Sequence, residues 1–269
     1  MDDFISQATD EILSSRKYHD LDLPVETVRA LLEQELPRHR SQRQALDSVR
    51  RKLHNIVAPY LGNPDYDTAG IELKSAFASH DDQAVREACR RILQAHASTR
   101  ERALILEEFY ARLFAYTGVP ETILDLACGL NPFSFPWMGL PSSTHYYAYD
   151  LHQPRLDLIN NYFELQGLPR LAIHQDILVH PPELEAQVAF FFKEAHRFEQ
   201  RQHGCNRAFW QALHVEHLLV SLPTTSLSGR HSLLEGQRRL VYGALEGLEW
   251  RVEEILFESE IVFCIRKGG

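Results

Sequence analysis

Apolar positions in the first part of the chain recur at three- and four-residue steps, at Leu13, Val28, Leu31, Leu32, Leu36, Leu46, Val49, Leu53, Ile56 and Val57. This is the helical period, which puts an apolar stripe on one face. Residues 62–70 are dense in turn formers and predict a loop. Further helices are predicted over about 70–79, 81–95 and 98–116, the last with Ser98 as its N-cap. Beyond residue 118 the pattern alternates between short apolar runs and amphipathic stretches. Strands are predicted at 121–126, 145–150, 171–175, 187–192, 217–222, 250–257 and 260–266, with helices over about 153–166, 196–213 and 232–246. Repeated β-α units imply a doubly wound α/β domain with a mostly parallel sheet. The last two strands are too close in sequence for a crossover and predict an antiparallel hairpin. The expected organisation is an all-helical N-terminal domain, 1–95, followed by an α/β domain, 96–269.

Composition narrows the setting. No apolar run reaches the length of roughly 20 residues that a membrane helix needs. The N-terminus is acidic where a signal peptide is basic. The four cysteines, Cys89, Cys128, Cys205 and Cys264, lie far apart without metal-site spacing, which fits a reducing compartment. A cytoplasmic protein with no membrane partner is the expectation. The formal net charge of −9 argues against a nucleic-acid partner only until its distribution is considered. Arg38, Arg40, Arg43, Arg50, Arg51 and Lys52 crowd into one window whose only acid is Asp47. Such a run is either a solvated helix face or a local phosphate-binding patch.

Candidate chemistry starts at the first predicted strand. Ile123-Leu124-Asp125-Leu126 runs into the small-residue turn Ala127-Cys128-Gly129. Such a turn lets the backbone approach a ligand closely. A dinucleotide fingerprint has three glycines, and only one is present. That poverty disfavours a phosphate cradle and favours S-adenosyl-L-methionine (SAM), which has no phosphate. Asp150 ends the next strand, 21 positions after Gly129, where an acid accepts hydrogen bonds from ribose hydroxyls. Asp176 follows the third strand, placed to meet an adenine amino group. After the fourth strand, Phe192-Lys193-Glu194 lacks the Pro-Pro-aromatic signature of amino-group methylation, and Cys205 lacks the setting of a pyrimidine nucleophile. A target such as guanine N7, with a lone pair and no proton to remove, needs only alignment.

The motifs together resemble the aminoglycoside-resistance 16S rRNA (guanine-N(7))-methyltransferases over nearly the whole chain. The resemblance rests on Ser15-Arg16-Lys17-Tyr18, His96-Ala97-Ser98-Thr99-Arg100-Glu101-Arg102, Leu124 to Pro132, Asp150-Leu151-His152-Gln153, Gln175-Asp176-Ile177-Leu178, and Ser221 to Arg230. It implies a Rossmann-like seven-stranded SAM-dependent methyltransferase domain behind a helical domain that docks on rRNA. The substrate would be a decoding-site guanine in the 30S subunit, and the consequence aminoglycoside resistance. A monomer that binds no DNA is expected. Arg102, with His96 beside it, would hold the SAM carboxylate, Ala127 and Gly129 would line the methionine, Asp150 and Leu151 would take the ribose, and Asp176 and Ile177 the adenine. Lys193 and Ser221 would stand at the transfer site. Arg230 and the run Arg38, Arg40, Arg43, Arg50, Arg51 and Lys52 would contact RNA.

The chain departs from the family pattern on the substrate side. Lys193 is followed by the polar Glu194-Ala195-His196-Arg197 where apolar residues and a Pro are usual, Thr225 stands where Arg is common, and His231-Ser232-Leu233-Leu234-Glu235 replaces a Lys-Gly cluster. The alternatives are methylation of another rRNA nucleotide or a small molecule, or a non-catalytic ribosome-binding role.

Overall fold

Three helices open the chain and pack on one another: α1 (Asp2–Leu13), α2 (Val25–Glu35) and α3 (Gln42–Val57). Their apolar stripes close a core of their own, with Ile12, Val28, Leu31, Leu32, Val49, Leu53 and Val57 at its centre. The Ser41 side chain caps α3 by accepting from the Gln44 amide. One buried acid, Glu35, ties α2 to α3. It accepts from the Ser48 hydroxyl at 2.6 Å and pairs with Lys52 at 2.9 Å, with Arg38 and His39 also in reach. The computed structural model describes residues 2–58, 64–225 and 231–268.

The next two helices behave differently. α4 (Tyr66–Ala78) is capped by Asp65, so helix begins inside the stretch expected to be loop; α5 (Asp82–Ala95) follows, capped by Asp81. Leu73, Val85, Ala88, Cys89, Ile92 and Leu93 belong to the same core as sheet residues such as Ile123, Tyr146 and Phe190. α4 reaches it against the helix Gln153–Gln166, and α5 against the 3₁₀ segment Asn131–Trp137, so these helices form a layer outside the elements that flank the sheet. The helices with a core of their own end at Val57, and α4 and α5, which precede the boundary expected at residue 95, share the core of the α/β region. Amphipathic periodicity says that a helix has a buried face, not what it is buried against.

The region predicted as one helix over 98–116 is broken in three: α6 (Ala97–Arg100), a 3₁₀ turn (Arg102–Leu104) and α7 (Leu106–Thr117). The N-cap of α6 is His96, not Ser98, whose amide donates to the His96 ring. The break turns Arg102 into the interior, where its exposure is 2%.

All seven predicted strands form. They are β1 (Thr122–Leu126), β2 (His145–Asp150), β3 (Ala172–His174), β4 (Ala186–Phe192), β5 (Val215–Pro223), β6 (Arg251–Leu256) and β7 (Glu260–Arg266). Their order is β3-β2-β1-β4-β5-β7-β6, with only β7 antiparallel to its neighbours. The order reverses between β1 and β4, and the crevice above that point is where such sheets bind ligands. α8 (Gln153–Gln166) and α11 (Leu234–Leu245) form near their expected positions. The helix expected over 196–213 is two, α9 (Ala195–Arg201) and α10 (Cys205–Ala212), parted at Gly204 with φ 77°. Among the described residues, no helix is long and apolar enough to cross a membrane.

Burial works against the Glu35 charge, but hydrogen bonds from Ser48, Lys52 and His39 prevail and lower its pKa from 4.5 to about 2. A depressed folded-state pKa contributes stability above the unfolded value, and that stability is lost as pH falls. Chemical denaturation at pH 6 and pH 3 should show a smaller acid-induced loss in Glu35→Gln than in wild type.

Candidate active site

The ends of β1 and β4 are built from unusual backbone. Ala127 has φ 53°, Gly129 φ 55° and Lys193 φ 60°, left-handed values that side-chain-bearing residues rarely adopt. The first two form the tight turn after β1, and an ideal Cβ on Gly129 would stand 3.9 Å from the Arg155 guanidinium. The turn forms the floor of a cleft lined by His96, Arg102, Asp150, Asp176, Glu194 and Arg201, among others. All eight residues expected at a cofactor, His96, Arg102, Ala127, Gly129, Asp150, Leu151, Asp176 and Ile177, line this single cleft.

Arg102 lies between the Phe109 and Phe192 rings, 4.3 and 4.5 Å from their centroids. Its NH2 and Nε donate to the two oxygens of Glu260, and NH1 donates to Asn131 Oδ1 at 2.9 Å. Three of the five donors of a guanidinium are thus used and two are left. Asn131 is itself oriented: its Nδ2 donates to Asp125 Oδ2 at 3.0 Å, while Tyr110 donates to its Oδ1. Burial pushes the Asp125 pKa up to about 7 despite donors from Asn131 and Tyr146. Glu260 is held below its usual range: burial opposes the charge, but Arg102 and Lys193 beside it prevail.

The other two acids are also paired. Asp150 accepts from the amides of Gly129, Leu151 and His152 and from Arg155 NH1 at 2.9 Å. Burial would raise its pKa, but the Arg155 charge and these donors lower it. Asp176 takes both terminal nitrogens of Arg201, at 2.9 and 2.6 Å. Glu194 also lines the cleft, 3.6 Å from Arg197, and burial raises its pKa to about 7. The cleft is walled by Arg–carboxylate pairs, with backbone amides aimed at two of the acids, Asp150 and Asp176.

The model of the family described as Ribosomal RNA methyltransferase (FmrO) matches residues 14–262. The chain belongs to this family. A 16S rRNA (guanine(1405)-N(7))-methyltransferase of Serratia marcescens is 32% identical over 266 residues, covering 98% of this chain and 99% of its own. One of the same name from Micromonospora rosea is 30% identical over 273 residues, with 99% and 98% covered. Among solved structures, the 16S rRNA methylase RmtB superposes with a TM-score of 0.77 at 29% identity over 98% of each chain. The 16S rRNA methyltransferase RmtF, in complex with S-adenosyl-L-homocysteine, gives 0.75 at 27% over the whole of both chains.

In this ribosomal RNA methyltransferase the two residues expected at the transfer site stand together, behind the cleft lining. The Lys193 amide donates to the Ser221 carbonyl at 2.8 Å. Lys193 Nζ lies 2.8 Å from Glu101 and 3.6 Å from Glu260. Ser221 is fully buried in β5. The basic run divides. Arg40, Arg43 and Arg51 are exposed and have no carboxylate partner among the described residues, whereas Arg38 pairs with Glu35 and Arg50 with Glu11. Lys52 is turned inward, unlike the exposed members of the run: it pairs with Glu35, donates to the Arg201 carbonyl and lines the cleft. Arg230 lies outside the described residues.

Sequence reasoning missed Glu260, Asn131, Arg155, Arg201 and Glu194 as site residues. Asn131 and Glu194 stood within quoted motifs. Glu260 carries no local signal, because its partner is 158 residues away. Removing one member of a buried pair leaves the other charge uncompensated, at a cost of about 3–5 kcal/mol. Urea denaturation of Glu260→Ala should show a loss of about that size.

Proposed function

We propose that this methyltransferase transfers the methyl group of SAM to N7 of a guanine in the decoding site of 16S rRNA, in the assembled 30S subunit, and so confers aminoglycoside resistance. The observation that carries the reading is similarity over the full chain to enzymes named for guanine-1405 N7 methylation, with every expected cofactor residue on one cleft. The protein acts in the cytoplasm, where its substrate is, and as a monomer.

The donor set fits SAM. The turn after β1 brings backbone close to the ligand, the acids after β2 and β3 suit hydroxyl and amino donors, and Arg102 retains two donors for a carboxylate. Bound there, SAM supplies an electrophilic methyl group on a sulfonium centre. Arg102, fixed by Glu260 and Asn131, holds the carboxylate end. Asp150 and Leu151 would take the ribose, with Asp150 held in place by the Gly129, Leu151 and His152 amides and by Arg155. Asp176 and Ile177 receive the adenine. Guanine N7 carries a lone pair and no proton, so no residue has to act as base; the chain aligns the reactants and excludes water. Lys193, clamped by Glu101 and Glu260, fixes the end of β4 at the transfer site with Ser221 behind it. A base in a helix must leave its stack to reach the cleft.

The proposed division of labour puts docking on α1–α3 through Arg40, Arg43 and Arg51, with Arg38, Arg50 and Arg230 adding charge. The unpaired cations release counterions from phosphate, so binding depends on salt. Replacing Arg40, Arg43 and Arg51 together by Glu should abolish most 30S binding in sedimentation assays and leave S-adenosylhomocysteine affinity intact. Equal loss of both would overturn the division.

Labelled methyl from SAM, incubated with bacterial 30S subunits, should appear on a decoding-site guanine with the ring-cleavage chemistry of 7-methylguanine. Label on another nucleotide would move the target, as the polar Glu194-Ala195-His196-Arg197 stretch allows. SAM binding without transfer to RNA would overturn the reading.

A further inference from the structure

The acid on the adenine side, Asp176, has a filled set of donors. Arg201 gives NH1 to Oδ1 at 2.9 Å and NH2 to Oδ2 at 2.6 Å. The Leu178 amide reaches Oδ1 at 3.1 Å, with the Val179 amide behind it at 3.4 Å. The fifth donor comes from outside the α/β domain. The Thr27 hydroxyl, on α2, donates to Oδ2 at 2.7 Å, and both side chains are buried. A carboxylate offers about four acceptor positions. An amino group arriving at Asp176 has to displace one of the donors already there.

The donors are not equal. Arg201 is charged, bidentate and anchored, with Lys52 donating to its carbonyl. The Leu178 and Val179 amides belong to the same turn as Asp176 and close it. Thr27 makes one bond from a neutral hydroxyl, and it sits on a three-helix unit with its own core. That unit already forms part of the cleft wall through Lys52, Asn55 and Ile56.

We propose that Thr27 is a cofactor-site residue supplied by the helical unit: it caps Asp176 in the ligand-free enzyme and yields that position to the adenine amino group when the cofactor loads. The proposal rests on the reading of Asp176 as the adenine acceptor. Only hydrogen bonds exchange: hydroxyl to carboxylate breaks, and amino to carboxylate forms. α2 then loses its bond to the turn after β3, while Gln34–Gln202 and Lys52–Arg201 still hold the unit to α9. Thr27 is thus a positioning residue that competes with the ligand, and its loss improves binding. It also makes cofactor occupancy felt in the helices that carry Arg40, Arg43 and Arg51.

The test is calorimetric titration of the full chain with S-adenosylhomocysteine. Thr27→Val keeps the shape and removes the competing donor, so affinity should rise on the order of tenfold, the worth of one hydrogen bond to a charged group. Thr27→Ser restores the donor and should bind like wild type. Unchanged or weaker binding by Thr27→Val, with Asp176→Ala clearly weakened, overturns the role of Thr27 and leaves the adenine reading standing. Full affinity in Asp176→Ala overturns the adenine reading and the proposal with it. Hydrogen exchange on the wild-type protein needs no variant to fold. The ligand should speed amide exchange in α2 while slowing it around Gly129, and unchanged or slowed exchange in α2 overturns the proposal.

Discussion

Arg102 and Glu260 meet where almost no solvent reaches, and much of the site is arranged around that pair. A guanidinium and a carboxylate in a low-dielectric interior are tolerable only together and only with their remaining hydrogen-bonding capacity used. Asn131 answers part of the need on the arginine side, and Asp125 with Tyr146 fixes how Asn131 is turned. Lys193 answers it on the glutamate side. In this way the 3₁₀ turn before α7, the loop after β1, the end of β4 and the start of β7 are tied to one another by charge. The guanidinium sits in the corner made by the Phe109 and Phe192 rings, which meet at 81°.

The same pair explains where sequence reading succeeds and where it stops. The sheet was legible because each strand is an apolar run whose burial does not depend on which neighbour supplies it; Phe190 is buried whatever packs there. That Ala127, Gly129, Asp150, Leu151, Asp176 and Ile177 share a cleft was legible because they follow strand ends at set spacings, whereas His96 and Arg102 entered only through the family resemblance. The break at Arg102 was not. Residues 98–116 favour helix locally, and only a carboxylate from the far end of the chain makes it worthwhile to turn an arginine inward. Long-range electrostatics overrode local propensity. The inward turn of Lys52 has a nearer reason. It lies three residues after Val49 and four after Ser48, both buried, and so belongs to the inner edge of α3, not to the outer face of the basic run.

Pairing also governs how the cleft treats a ligand. An arginine-lined pocket would repel a cationic cofactor, but Arg102, Arg155, Arg197 and Arg201 are each matched by Glu260, Asp150, Glu194 and Asp176. The local field is therefore one of alternating dipoles and not of a single sign. A ligand enters by trading one internal partner for another, so affinity reflects the difference between two sets of contacts and not the strength of either.

The placement of α4 and α5 bears on how such a chain could be recombined. Because both helices supply side chains to the core they share with α7, α8 and the strands, residues from Tyr66 onward are packed as one body. The block that could be exchanged between relatives is only α1–α3. Among the described residues, such a graft carries its own apolar core across and meets the rest of the chain chiefly through Thr27, Gln34, Lys52 and the contact with Leu151. A cut at residue 95 would instead uncover α8 and the segment Asn131–Trp137 and leave both halves exposing the surfaces they were built to bury.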